Sequence, residues 1–131
     1  MNLLLDTHCW LWALSEPEKL SPQASAMISD HTNNIYLSTA SIWELGIKAQ
    51  LGKISLPEAF ETFVPTRLQV FQTIPIQITP SHAIIAATLP LHHKDPFDRM
   101  IIAQGKSENL PILSNDKVFH NYDITIIEIA R

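Results

Sequence analysis

Cysteine is almost missing from this chain, with Cys9 alone among 131 residues. One thiol excludes an internal disulfide and fits a reducing, cytoplasmic setting, so the fold has to rest on its apolar core. Cys9 itself reads as a small buried hydrophobe. Glycine is scarce too, present only at Gly46, Gly52 and Gly105. Three isolated glycines cannot build a Walker phosphate loop or a G-x-G-x-x-G turn. A G-x-S-x-G elbow is absent, which argues against an α/β-hydrolase. The lone cysteine and six scattered histidines give no tetrahedral zinc spacing. No apolar run approaches the ~20 residues of a membrane-spanning helix, so no membrane partner is expected. The opening MNLLLDTHCW has no basic stretch and soon meets Asp6, unlike a signal peptide. An excess of basic charge is also missing: 9 Lys and Arg stand against 13 Asp and Glu, for a net charge of −4. That excludes a generic basic-patch nucleic-acid binder. It leaves room for a metal-dependent nuclease, because setting four clustered carboxylates aside leaves 9 acids to balance 9 bases.

What is present is a globular composition, 46% hydrophobic and 17% charged, of a length that suits one domain over 1–131. Short β-type runs occur at 2–5 (NLLL), 34–37 (NIYL), 74–78 (IPIQI), 111–113 (PIL) and 124–127 (ITII). Their unbroken apolar character predicts strands buried on both faces, as in a parallel sheet. Helical patterns fill 7–14, 21–31, 39–51, 57–71, 80–88 and 96–107. Ser21–Pro22, Thr79–Pro80 and Asp95–Pro96 read as helix starts, and Gly52 reads as a stop. Strands alternating with helices predict an α/β sandwich with crossover connections.

In such a sheet, functional groups lie beyond the C-terminal ends of the strands. Asp6 follows the first strand and is either a helix cap or a ligand. Asp116 follows PILSN and is either a turn residue or a ligand. Glu44 lies in the helix after the second strand, among Ile42, Trp43, Leu45 and Ile47. It is a capping-box partner for Ser41, an ion-pair partner for Lys48, or a partly buried site carboxylate. Asp95 reads as an N-cap with Pro96 behind it, while Asp98 either supports that cap or points away from it toward chemistry. Taken together, Asp6, Glu44, Asp98 and Asp116 fall at one sheet edge. Four carboxylates packed there raise one another's pKa. A hard divalent cation, Mg²⁺ or Mn²⁺, relieves that repulsion, activates water and stabilises a phosphodiester in transit. His92 and His93 read as surface or supporting residues, because no helix holds them on a shared face. Trp10, Trp12 and Trp43 read as core rather than as stacking platforms. Two other classes share this outline. A binding module of the same fold lacks only metal-dependent turnover. A phosphoacceptor or phosphatase wants paired acids after the first strand, where this chain has only Asp6.

The stretches LLLDTHCWLW, SIWEL with KAQLGKISLP, HHKDPFDRMIIAQ and LPILSND occur in an order and spacing that resemble PIN-domain ribonucleases, specifically the VapC-like toxins of bacterial type II toxin–antitoxin pairs. The likeness covers nearly the whole chain, and DTH…W combined with H..DPFDR..IAQ is its specific part. It implies a three-layer α/β/α sandwich around a mainly parallel, five-stranded sheet, and Mg²⁺- or Mn²⁺-dependent endonucleolytic cleavage of RNA. The four family acids map onto Asp6, Glu44, Asp98 and Asp116. Ser114 falls where the family often has Thr or Ser near the metal, and Asp95 belongs to the DPFDR signature. Arg99 is implied to contact phosphate or to pair with a site carboxylate. Lys48, Lys94 and Lys117 join Arg99 as candidates to grip RNA. Gly105 departs from the alanine of many relatives, at a cost of roughly 1 kcal/mol in helix propensity. The likeness further implies a cognate antitoxin covering the site, a homodimer, and operator DNA reached only through the antitoxin.

Overall fold

Leu3, Leu4 and Leu5 have no exposed surface at all, which places their strand at the centre of the molecule. In the computed structural model, which describes residues 1–131, this strand is β1 (Asn2–Leu5). It is followed by α1 (Thr7–Ser15), a 3₁₀ turn over Pro17–Lys19, α2 (Pro22–Ser29) and β2 (Asn34–Ser38). Then come α3 (Thr39–Gln50), α4 (Phe60–Val70), β3 (Thr73–Ile76), α5 (Pro80–Thr88) and α6 (Pro96–Ser107). The chain ends with β4 (Ile112–Ser114), a second 3₁₀ turn over Lys117–Asn121, and β5 (Ile126–Glu128). The sheet order is β3-β2-β1-β4-β5 and every pairing is parallel. Alternation along β1 feeds two cores. Leu3 and Leu5 pack with Cys9, Trp10, Ala24 and Leu45 on one face. Leu4 packs with Ile101, Ile102 and Phe119 on the other. This is the three-layer α/β/α sandwich.

The helix starts follow local chemistry. Ser21 caps α2 by accepting from Ala24 N–H, with Pro22 behind it. Thr79 caps α5 in a reciprocal box whose second member is His82. Gly52, at φ +73°, terminates α3 in the left-handed region that glycine adopts without penalty. Several expectations shift: α2 ends at Ser29 and β5 begins only at Ile126. Ser38, not Ser41, caps α3, so Glu44 has no capping-box role. α4 starts at Phe60 rather than 57, because Pro57 and Glu58 form a bend from which Glu58 reaches Arg67 at 2.6 Å. β3 stops at Ile76; its Pro75 is tolerated because β3 is an edge strand with β2 as its one neighbour. Trp10 is core as expected, at 1% exposure, but Trp43 is 66% exposed. α3 buries the stripe Ala40, Ser41, Glu44 and Leu45, and position 43 falls outside it.

Candidate active site

The sheet runs outward in one direction through β2 and β3 and in the other through β4 and β5. The strand order therefore reverses between β1 and β4, where an open α/β sheet forms a crevice at its C-terminal edge. Asp6 stands at the end of β1 and Ser114 at the end of β4. Asp6 caps α1, its Oδ1 accepting from Cys9 N–H at 2.7 Å. Its Oδ2 accepts from the Ser114 hydroxyl at 2.5 Å. That hydroxyl oxygen in turn accepts from Asp116 N–H at 3.0 Å. So Ser114 ties two of the acids together across the switch point, and Asp6 is both cap and site carboxylate. Burial pushes the Asp6 carboxyl above its ordinary value; the bonds from Ser114 and Cys9 pull it down, and the Asp116 charge adds to the rise.

The other two acids arrive on helices. α6 begins at Asp95, whose Oδ1 accepts from Phe97 and Asp98 N–H at 2.9 and 3.4 Å. Asp95 is thus the cap, and Asp98 is free to face the crevice. Burial first, and then the Asp95 charge, push the Asp98 carboxyl up to about 7; Glu44 and Asp6 add to this and His93 opposes it. Glu44, 7% exposed, has both oxygens engaged. Thr7 Oγ1 donates to one at 2.7 Å and also lies 2.9 Å from Ser41 Oγ. Lys48 meets the other at 3.3 Å. The expected ion pair with Lys48 is therefore present, and it coexists with placement at the crevice.

His93 is closer to these acids than its loop position suggested. Its Nε2 lies 2.9 Å from Asp116 Oδ2 and 3.1 Å from Asp98 Oδ2. Its Nδ1 accepts from Asp95 N–H at 3.3 Å, which leaves the proton on Nε2 to donate to the carboxylates. The pattern H..DPFDR begins at His92, yet His92 packs edge-on against Tyr122 and His93 does the bridging. The signal available in the sequence was the spacing of His93 two residues before a cap, which returns its ring to the helix start.

Arg99 serves neither role expected of it. It is buried, and its guanidinium donates to four backbone carbonyls: Pro90, His93, Ala86 and Leu89, at 2.7 to 3.1 Å. These lie at the end of α5 and in the loop beyond it, so the arginine holds the segment that carries His93 instead of meeting phosphate or carboxylate. Tyr122 clamps the same loop, accepting from His93 N–H at 2.7 Å and donating to Pro90 O at 2.6 Å. Lys94 and Lys117 are exposed beside the acids in sequence. A cavity of about 410 Å³ opens elsewhere, beside Asp30–Asn33 and Val70–Thr73, and none of the four acids lines it.

The fold and the crevice together define a parallel α/β sandwich with a carboxylate cluster at its switch point. A profile of the PIN domain matches residues 3–124. Ribonuclease VapC22 of Mycobacterium tuberculosis is 30% identical over 117 residues, which is 88% of each chain. Ribonuclease VapC16 of the same organism is 37% identical over 60 residues, 46% of this chain; the match spans 43% of that protein's length. The solved structure of VapBC2 from Rickettsia felis, bound to a DNA fragment from their promoter, aligns over 98% of this chain and 99% of that one, with TM-score 0.71 and 16% identity. The chain belongs to the PIN-domain family, among its VapC-like members.

Proposed function

We propose that this chain, acting as one domain over 1–131, is a divalent-cation-dependent endoribonuclease and the toxin of a toxin–antitoxin pair. The observation that carries the reading is the meeting of Asp6, Glu44, Asp98 and Asp116 at one crevice, close enough that their charges act on one another. The donor set suits Mg²⁺ or Mn²⁺: four carboxylates, hard and negative, with the His93 ring between Asp98 and Asp116, and burial raises the Asp98 carboxyl in a way that a cation would offset. Asp6, Asp98 and Asp116 would hold the ion, with Glu44 ligating or orienting the attacking water. Such an ion supplies charge against a phosphodiester and acidifies water. The chain's own part is orientation. Ser114 fixes the outer oxygen of Asp6 and the backbone of Asp116. Thr7 and Lys48 hold Glu44 from both sides. His93 draws Asp98 and Asp116 toward one point. Lys94 and Lys117 are exposed to meet the RNA backbone, whereas Lys48 is already engaged.

The names of the relatives support ribonuclease activity, and the Rickettsia felis complex supports a partner protein through which promoter DNA is reached. A small antitoxin would cover the crevice, and a homodimer and a cytoplasmic site of action complete the reading. No helix is long and apolar enough to cross a membrane. The test is cleavage of a mixed, structured RNA pool by purified protein freed of any partner, with Mg²⁺, Mn²⁺ or EDTA. Cleavage should need the metal and vanish in Asp6→Asn and Asp98→Asn, both of which should still fold. Undiminished cleavage by either variant would refute the site; no cleavage by folded wild-type protein under any metal would favour a binding module.

A further inference from the structure

We propose that Trp43 and Phe97 form a stacking platform for one unpaired base of the RNA, set at the rim of the acidic crevice. The inference deepens the ribonuclease reading and rests on it. Tryptophan is the largest apolar side chain, and leaving it 66% exposed forgoes burial that a folded chain ordinarily uses. Its ring meets Phe97 edge-on, with centroids 5.3 Å apart and planes at 81°. A T-shaped neighbour fixes the pair and leaves indole surface open. Each aromatic immediately precedes a site acid: Trp43 before Glu44 on α3, Phe97 before Asp98 in the first turn of α6. Consecutive helical residues point about 100° apart. While Glu44 turns inward to Thr7 and Asp98 to His93, the preceding aromatics stay at the rim.

Charge explains why such a platform is wanted. Four acids repel a polyanion, and of the four neighbouring cations two are engaged, which leaves Lys94 and Lys117 exposed. Lys48 is paired with Glu44, and Arg99 is buried on backbone carbonyls. Stacking holds nucleic acid without charge and tolerates any base, because every base has a π face. Of the other exposed apolar groups, Met1, Ile74, Ile78, Ile84 and Leu91 carry no ring to stack on. Val70 and Phe71 precede β3, at the opposite edge of the sheet, and Leu51 lies at the far end of α3.

The experiment measures binding of a labelled single-stranded ribo-oligonucleotide by anisotropy, in EDTA so that cleavage does not interfere. Wild type, Trp43→Ala and Trp43→Phe are compared. A set of oligonucleotides, each with one abasic position, is then run on wild type and Trp43→Ala. Trp43→Ala should weaken binding about tenfold, the scale of one stacked base, and Trp43→Phe should retain most of the affinity. One abasic position should weaken binding to wild type and leave Trp43→Ala unaffected. Thermal unfolding should be unchanged, because the side chain is exposed. Equal affinity of wild type and Trp43→Ala, or identical abasic profiles, overturns the platform. If Trp43→Ala binds RNA normally but no longer retains a co-expressed antitoxin, Trp43 is a protein contact and stacking is refuted. If wild type binds no RNA in EDTA, the platform is refuted, while the ribonuclease reading stands or falls on the metal-dependent cleavage assay.

Discussion

His93 sits in a loop, yet both of its ring nitrogens are occupied: one by Asp95 N–H, the other by two carboxylates. Its position depends on Arg99, which grips the carbonyls on either side of the α5 terminus. A buried guanidinium with four acceptors is satisfied only as a fork, which an ammonium cannot reproduce. Removing it leaves buried carbonyls without donors, so Arg99→Ala should cost about 3 kcal/mol in urea unfolding. Arg99→Lys should recover less than half of that. A loss below about 1 kcal/mol for Arg99→Ala would mean that the loop is held by Tyr122 alone. These roles were only partly legible in the sequence, where Arg99 looks like a phosphate contact or a carboxylate partner and His93 like a surface or supporting residue. Burial decides between such readings, and burial is a property of the packed chain. The four acids were easier to see. Asp6 follows a strand directly, Asp116 lies two residues beyond another, and Glu44 and Asp98 lie in helices that start at the same edge.

Among the elements, α6 has the bounds that its Asp95–Pro96 start and its apolar pattern predicted, and β1 likewise has the expected ends. Continuous apolar strands and X–Pro starts are local signals, so the layer order could be read from them. The start of α4 and the end of β3 could not, because a bend delays the one and the other stops where its single neighbour β2 ends, at Ser38 opposite Ile76. Gly105 marks a second limit. In sequence it is a weak point of α6; in the structure it is where α6 meets β4. A Cβ there would lie 2.6 Å from Ile112 Cδ1 and 2.9 Å from its Cγ1, with Ile112 fully buried. Gly105→Ala gains about 1 kcal/mol of helix propensity. Overpacking of this kind costs about 1–3 kcal/mol. The variant should therefore be less stable than wild type in chemical denaturation. Adding Ile112→Val, which removes the offending Cδ1, should make the alanine less harmful than it is alone. An alanine variant more stable than wild type would show that Ile112 has another rotamer to adopt.

At the scale of the whole molecule, the crevice couples stability to pH. Asp98 titrates near 7 in the folded chain and near its ordinary value when unfolded. Between those values the folded state binds more protons, so its stability should fall as pH rises from about 4 through 7. Asp98→Asn should reduce that slope in metal-free protein, leaving the part that the raised Asp6 carboxyl contributes. The divalent ion proposed for the crevice would compete with the same proton, so Mg²⁺ or Mn²⁺ should raise the Tm more at pH 8 than at pH 6. An equal shift at both would separate Asp98 from the ion. The bond between Ser114 and Asp6 has one further consequence, since it joins residues 108 positions apart. Proteins are made from the N-terminus, and a nascent chain folds with what has left the ribosome. Until β4 is synthesised, β1 has β2 as its only sheet neighbour, and Asp6 lacks both Ser114 and Asp116. A chain stalled before residue 112 already carries three of the four acids but has no closed crevice. Synthesis thus withholds the assembled site until nearly the last segment has emerged, which leaves a partner protein time to be present when it closes.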